Sequence, residues 1–510
     1  MMEPHYERLS ALDASFLAVE DENAHMHVGS LSTFDAKPML RGDGALDFER
    51  IRRAIECVVY KCPRLHQKVW WPLGAPPVWI DDLDFQLSYH LRHTALPRPG
   101  TVRQLKRLAG RVMSQKLDLA KPLWELWIIE GLEQGRFAIL AKLHHCLADG
   151  IAAREILTGY LDVVPRHDAP DASRWRARPS PSLARLHVDE MRRRAEGSAE
   201  LLLAARDLLG RSSFRETIEE VAGNALDVLG SFVHPASHTP LNDPIGPHRR
   251  IDFTRCEFGA VQGIRKVIGG KVNDVVLACV TGAVRRYFLG RKCPVDDLDF
   301  RILVPVNTRT QSDGAAGNRV STLLVPVSLA ETDPRRRLEG IIEVTSRLKG
   351  TQQSQTTDLL ARLADRVGLF LPQVLGSRFG ASPLALGYNL IVTNVPGPMI
   401  PQYFLESLLF DSYPLVPITS NQALGIALYT YNGVLHWGFH ADWDALPDLH
   451  DFVLDVDAEL SALVDACRPI ELRPARKSTE PTAPEATARA STRGRRPRKP
   501  RPPEIAPDAG

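Results

Sequence analysis

Helical and strand-like stretches alternate along this chain in two halves separated by a proline-punctuated segment, and that alternation excludes most architectures. In the first half, residues 48–62 place apolar side chains at helical spacing (Ile51, Ile55, Val58, Val59), residues 26–34 alternate as a strand does, and residues 102–115 and 151–163 return to a helical period. Residues 124–130 and 136–143 are strand-like runs on either side of a short segment bounded by Gly131 and Gly135, which predicts a hairpin. The second half predicts helices over 258–268, 273–288, 334–350 and 447–464. Its predicted strands are 300–305, 320–329, 389–395, 425–431 and 434–441. No short period recurs, so a solenoid is excluded, and mixed elements in two halves predict two α/β sandwich lobes.

Proline sets the boundaries. Pro165, Pro170, Pro179 and Pro181 interrupt a polar stretch, residues 182–232 follow with helical patterning, and residues 234–247 are again rich in proline. The expected organisation is a first lobe over 1–164, a partly helical connector over 165–247 and a second lobe over 248–475. Residues 476–510 hold seven prolines and almost no large apolar side chains, so this tail is expected to be disordered. With 44% hydrophobic residues over 510 positions, the rest of the chain has ample material for large cores.

A net charge of +2 conceals an asymmetry: the tail carries nine basic and four acidic residues, a net +5, which leaves the first 475 residues at −3. Nothing here predicts a nucleic-acid partner. The seven cysteines are scattered and never form C-x-x-C, which argues against a zinc site or a secreted disulfide framework and for a reducing compartment. No run is long and apolar enough to span a membrane, and residues 1–20 lack the basic-then-apolar order of a signal peptide. A cytoplasmic protein is expected, either free or peripheral at a membrane.

The chemistry concentrates in residues 143–150, Leu-His-His-Cys-Leu-Ala-Asp-Gly, between a predicted strand and a predicted helix. Adjacent residues at a strand end point in opposite directions, so only one of His144 and His145 can enter a given cavity. A neutral imidazole there can take a proton from an alcohol as it attacks a carbonyl. Asp149 and Gly150 suit the turn into the next helix. Singly, a His pair or an Asp-Gly turn is an ordinary structural feature; together, in a strand-to-helix context, they point to catalysis. Neighbouring histidines seldom share one ion and the H-E-x-x-H pattern is absent, so no metal is expected.

The pattern H-H-x-x-x-D-G over His144 to Gly150 resembles the active-site motif of the CoA-dependent acyltransferase superfamily. Further strings narrow the resemblance to the bacterial wax ester synthase/diacylglycerol acyltransferase family: Leu9-Ser10-Ala11-Leu12-Asp13-Ala14-Ser15-Phe16-Leu17, Met26-His27-Val28-Gly29, Pro63-Arg64-Leu65, Pro122-Leu123-Trp124, Asn273-Asp274-Val275-Val276-Leu277-Ala278 and Asn394-Val395-Pro396-Gly397-Pro398. Each is short, but they occur in the family's order and cover about residues 5–465.

The resemblance implies two similarly folded lobes of the chloramphenicol-acetyltransferase type enclosing a tunnel, with long-chain acyl-CoA as co-substrate, no bound cofactor, and diacylglycerol or a fatty alcohol as acceptor. It implies that His145 is the general base, with His144 facing away to brace the loop, and that no acyl-enzyme forms. No G-x-S-x-G elbow is present, consistent with direct transfer. Asp149 and Gly150 shape the motif turn, with Arg309 as the candidate ion-pair partner of Asp149. Asn273 is placed near the reaction centre, Asp274 beside it at the substrate site with a mainly structural part, and Pro122, Leu123 and Trp124 on the tunnel wall or in the core behind it. Residues 394–398 read as a rigid loop linking the lobes, and Cys146 as a motif filler. A carrier-protein-dependent acyltransferase and a non-catalytic lipid-binding homologue are the alternatives. The basic tail suits an anionic membrane or lipid-inclusion surface, at roughly 1 kcal/mol per close Lys or Arg.

Overall fold

The computed structural model describes residues 4–73, 76–147, 157–168, 175–209, 235–307, 320–350 and 387–467. The helical period expected over 151–163 falls mostly outside these residues, as do residues 210–232 of the expected helical patterning and the tail over 476–510.

In the first half the strands are β1 (Glu7–Arg8), β2 (His27–Asp35), β3 (Gln67–Trp70), β4 (Val78–Asp81), β5 (Leu91–Ala95), β6 (Trp124–Leu132) and β7 (Arg136–His144). Helices α1 (Ala11–Ala18), α2 (Phe48–Lys61), α3 (Leu87–His90) and α4 (Val102–Ser114) are interspersed, and α5 (Leu183–Leu209) follows β7. The second half contributes β8 (Arg249–Glu257), α6 (Phe258–Ile268), α7 (Val272–Gly290), β9 (Phe300–Asn307), β10 (Val320–Val327) and α8 (Pro334–Gly350). It continues with β11 (Leu390–Pro396), β12 (Tyr403–Phe404), β13 (Ser407–Leu415), β14 (Leu424–Tyr431), β15 (Val434–Asp442) and α9 (Leu449–Ala466).

Two six-stranded sheets organise these elements, in the orders β12-β13-β2-β7-β6-β5 and β10-β9-β11-β14-β15-β8, beside a three-stranded sheet β1-β4-β3. The fold is a two-lobed α/β architecture. In the first sheet β6 and β7 form the expected hairpin, with Trp124 opposite Leu143. Strand β7 is buried on both faces, and its alternation sorts side chains between two cores. Phe137, Ile139, Ala141 and Leu143 pack with Ile51 and Ile55 of α2, whereas Ala138 and Leu140 pack with Leu105, Ala109 and Val112 of α4. Helix α4 starts at a capping box in which the Thr101 hydroxyl accepts from the Gln104 N–H and the Gln104 side chain accepts from the Thr101 N–H. The second sheet is covered by α7, buried along most of its length against α8 and α9. No single helix among the described residues is long and apolar enough to cross a membrane. The one bent pair that approaches it, α6 and α7 at 99°, includes this core helix.

One strand pair departs from the order of the chain. Strands β12 and β13 follow β11 in sequence yet extend the first sheet, β13 running antiparallel to β2 with a bulge between Leu409 and Asp411. At the bulge Asp411 accepts from Thr33 Oγ1 at 3.1 Å and Arg136 at 3.2 Å, both in the first sheet. It also pairs with Arg255 of β8, and His436 Nε2 of β15 is 3.5 Å away, both in the second sheet. Burial acts to raise its pKa, but His436, Arg255 and Thr33 outweigh that and hold the carboxyl at about 2. The sheets approach closely here: a Cβ at Gly438 would collide with the Pro414 carbonyl, so glycine is required.

Candidate active site

The turn that ends β7 is pinned by backbone before any side chain is considered. The His144 N–H donates to Leu123 O at 2.9 Å and the His145 N–H to Met26 O at 2.6 Å. Residues 145–147 then form a single 3-10 turn against α1. Helix α1 is placed by Ser10, whose hydroxyl oxygen accepts from the Asp13 N–H at 3.0 Å as an N-cap. Three of the family-like strings, residues 9–17, 26–29 and 122–124, thus meet at one turn.

The two histidines have different surroundings. His144 continues the α4-facing series of β7 after Lys142 and is fully buried. Its Nδ1 accepts from the Cys146 N–H at 3.1 Å, which places the ring proton on Nε2. That nitrogen lies 3.1 Å from Glu20 Oε1, an electrostatic contact outside good hydrogen-bond alignment. Glu20 also accepts from the Met26 N–H at 2.9 Å and meets Lys116 at 3.3 Å. Burial acts to raise the Glu20 pKa, but His144, Met26 and Lys116 outweigh it and keep the carboxyl below its ordinary value.

His145 stands against Phe16 of α1, ring centroids 4.0 Å apart, and is only partly buried. Its Nδ1 is buried with no hydrogen-bond partner among the described residues. Burial, with the neighbouring His144 second, pushes its pKa down to about 4. The ring is therefore neutral near pH 7, the state in which imidazole accepts a proton. Cys146 is fully buried, and burial, followed by Asp13 and Glu20, raises its thiol well above the ordinary value, which disfavours the thiolate.

The Pro122-Leu123-Trp124 segment lies in the core that backs the motif strand. Leu123 and Trp124 are fully buried, the indole N–H donates to Leu65 O at 2.8 Å, and His90 stacks on the indole at 4.7 Å. Asp149, Gly150 and Arg309 lie outside the described residues.

In the second lobe, Gly269 and Gly270 turn the chain with φ of 100° and 81°, a conformation that favours glycine, and α7 starts immediately afterwards. Asp274 is buried with both carboxylate oxygens engaged: its Oδ2 accepts from the Lys271 N–H at 2.7 Å and its Oδ1 from Thr345 of α8 at 2.9 Å. Asn273 has a different partner. Asn394 Nδ2 donates to its Oδ1 at 2.8 Å, and the Asn273 amide N–H group makes no hydrogen bond among the described residues. The strand expected over 389–395 is found as β11, and it runs through Pro396 parallel to β14, so of the 394–398 string expected as a loop only residues 397–398 lie beyond the strand. Interior position explains this, since Val392 and Leu390 of the same strand are core residues and β11 lies between β9 and β14.

Sequence reasoning assigned no role to Glu20, and it treated Phe16 and Asn394 only as members of strings. No local spacing identifies Glu20; its part depends on the loop between α1 and β2 returning past β7. Among the described residues no group of three His, Cys, Asp or Glu side chains is arranged to hold a metal.

Comparison with known proteins bears on the same residues. Residues 9–276 match the family described as the wax ester synthase/diacylglycerol acyltransferase catalytic domain, and residues 316–464 match the WS/DGAT C-terminal domain. A probable diacylglycerol O-acyltransferase (tgs1) of Mycobacterium tuberculosis is 31% identical over 464 residues, covering 89% of this chain and 95% of the relative. A second such protein of that organism (tgs2) is 30% identical, covering 89% and 98%. Among solved structures, the wax ester synthase/diacylglycerol acyltransferase from Marinobacter aquaeolei VT8 superposes with a TM-score of 0.64 at 24% identity, covering 90% of this chain and 99% of that one. A trichothecene 15-O-acetyltransferase from Fusarium sporotrichioides superposes with a TM-score of 0.58 at 12% identity, covering 90% and 95%.

Proposed function

The chain belongs to the wax ester synthase/diacylglycerol acyltransferase family, and from that premise we propose that it transfers a long-chain fatty acyl group from acyl-CoA to diacylglycerol, forming triacylglycerol. Long-chain alcohols are a second acceptor class, yielding wax esters. The observation that carries the reading is the neutral, partly accessible His145 beside a buried His144 held near Glu20.

In the proposed reaction His145 removes the proton from the acceptor hydroxyl as that oxygen attacks the thioester carbonyl. The tetrahedral intermediate then breaks its C–S bond, and the departing CoA thiolate recovers the proton from the imidazolium. His144, Glu20 and the two backbone bonds hold the turn. The Asn273 amide N–H, oriented by Asn394, is suited to donate to the developing oxyanion. Pro122, Leu123 and Trp124 support the motif strand on the substrate side, and Asp274 fixes the start of α7. No resident cofactor or metal takes part in this scheme.

The division into lobes 1–164 and 248–475 with a connector is part of the same reading, with residues 403–415 lent to the first sheet. The acceptor is insoluble in water, so we place the enzyme in the cytoplasm and at the inner membrane face or on lipid inclusions, with the +5 tail as the attachment to anionic headgroups.

The test is radiolabelled palmitoyl-CoA offered to the purified protein with diacylglycerol or hexadecanol, the products being separated by polarity. Labelled triacylglycerol, with CoA released in equal amount, is expected. Transfer from an acyl carrier protein but not from acyl-CoA would favour the carrier-dependent alternative, and no ester from either donor by folded protein would favour a lipid-binding role.

A further inference from the structure

A cavity of about 650 Å³ opens between the first turns of α4 and the start of β8, on the line where the two lobes meet. Its wall is cationic: Arg103, Lys106 and Arg107 come from α4, Arg249 and Arg250 from β8. The acidic residue in the lining, Asp252, is already shared between Lys106 and His450, the latter at 3.1 Å. Arg249 is buried and held by the Gly246 and His248 carbonyls, with Asp442 3.7 Å away. Arg103 and Arg107, one helical turn apart and exposed, have no acidic partner among the described residues. Arg250 lies 3.8 Å above the ring of Trp443, which fixes its plane, and its buried Nε has no hydrogen-bond partner among the described residues.

We propose that this cavity is a phosphate-binding site. Guanidinium groups ranged around a concave surface, Arg103 and Arg107 with donors unused and Arg250 held over Trp443, with a deficit of carboxylate, match the planar, multidentate recognition of phosphate oxygens. Two sources of that chemistry are open to an acyltransferase: the phosphorylated head of CoA and the headgroup of an anionic phospholipid. The CoA source rests on the acyl-transfer reading above; the lipid source does not. Helix α4 and β8 link the cavity to the motif strand. The far end of α4 reaches it through Lys142 of β7, whose ammonium donates to the Val112 carbonyl at 3.0 Å, and the Ser114 hydroxyl oxygen accepts from the Arg249 N–H at 2.8 Å.

The experiment measures equilibrium binding to the full-length protein without acceptor or turnover. The probes are CoA, phosphate-free pantetheine, and vesicles of phosphatidylglycerol or phosphatidylcholine. The variants are Arg103→Glu with Arg107→Glu, and separately Arg250→Gln; a control reverses Arg335 and Arg336, exposed on α8. The cavity pair is expected to weaken either CoA or phosphatidylglycerol binding at least tenfold, Arg250→Gln to weaken the same ligand, and the control to change neither by more than twofold. Salt should weaken native binding and affect the charge-reversed protein less. A loss confined to CoA assigns the CoA head, and a loss confined to vesicles assigns the lipid headgroup. Protein that binds CoA through this cavity yet makes no ester would sink the acyl-transfer reading and leave the site standing. Binding of both phosphate ligands within twofold of native in the cavity variants, or an equal loss in the control, would overturn the proposal.

Discussion

The Nε2 atom of His144 lies 3.1 Å from a carboxylate oxygen of Glu20, and both side chains are buried. Among the described residues no hydrogen bond or ion pair joins Glu20 to His145, so its influence on the reaction runs through His144 and the turn. Glu20→Gln keeps the shape and removes the charge. It is expected to lower kcat about tenfold while leaving KM for both substrates within twofold, because a small displacement of a catalytic group costs rate more than binding. Steady-state kinetics on folded protein check this, and an unchanged kcat would remove Glu20 from the positioning role.

The pH dependence follows from His145, which burial and His144 push down from 6.5 to about 4. Protonation disables a base, so activity falls as pH drops through the folded value and not through the ordinary one. The acid limb of kcat/KM is expected below about pH 5, with a flat profile from about pH 6 to 8. A limb centred near pH 6.5 that disappears with His145 would show that burial does not set its basicity.

Asn273 and Asn394 act as a unit if the 2.8 Å bond between them orients the donor amide. Asn273→Ala should cost about a hundredfold in kcat and Asn394→Ala about tenfold, with the double variant no worse than Asn273→Ala alone. Additive losses would mean that the two act independently.

Asp411 joins groups from both sheets, and its carboxyl is held at about 2 against an ordinary 3.8. A depressed acid stabilises the fold above its unfolded pKa and loses that contribution as pH falls toward the folded one. Asp411→Asn is therefore expected to lower unfolding free energy by about 2 kcal/mol at pH 7. The difference from native should shrink between about pH 4 and 2, as followed by urea titration. Equal stability at pH 7 would contradict the role given to Asp411.

Elements with a clean period were legible in the sequence. Residues 334–350 form the expected helix, and the hairpin of β6 and β7 starts at the expected residues, because burial on defined faces imposes a pattern that can be read one element at a time. Strand β8 was not legible: in Arg-Arg-Ile-Asp-Phe-Thr-Arg-Cys-Glu its charges serve the lobe junction, so the apolar signal is thin. The transfer of β13 to the first sheet was not legible either, since it depends on pairings such as Thr33 with Asp411, 378 residues apart. At the site, the motif histidines stood out as residue types at a spacing, whereas Asn273 was placed there only by the family resemblance. Glu20 did not stand out, because a carboxylate brought in by a returning loop leaves no local pattern.

The most direct measurement is ester formation by purified His145→Ala protein, given long-chain acyl-CoA and diacylglycerol, with its fold verified by circular dichroism and an unchanged unfolding midpoint. If His145 is the general base, triacylglycerol synthesis falls by at least a thousandfold, roughly the upper part of the range for loss of a general base. Turnover within tenfold of native by that folded variant would contradict the mechanism.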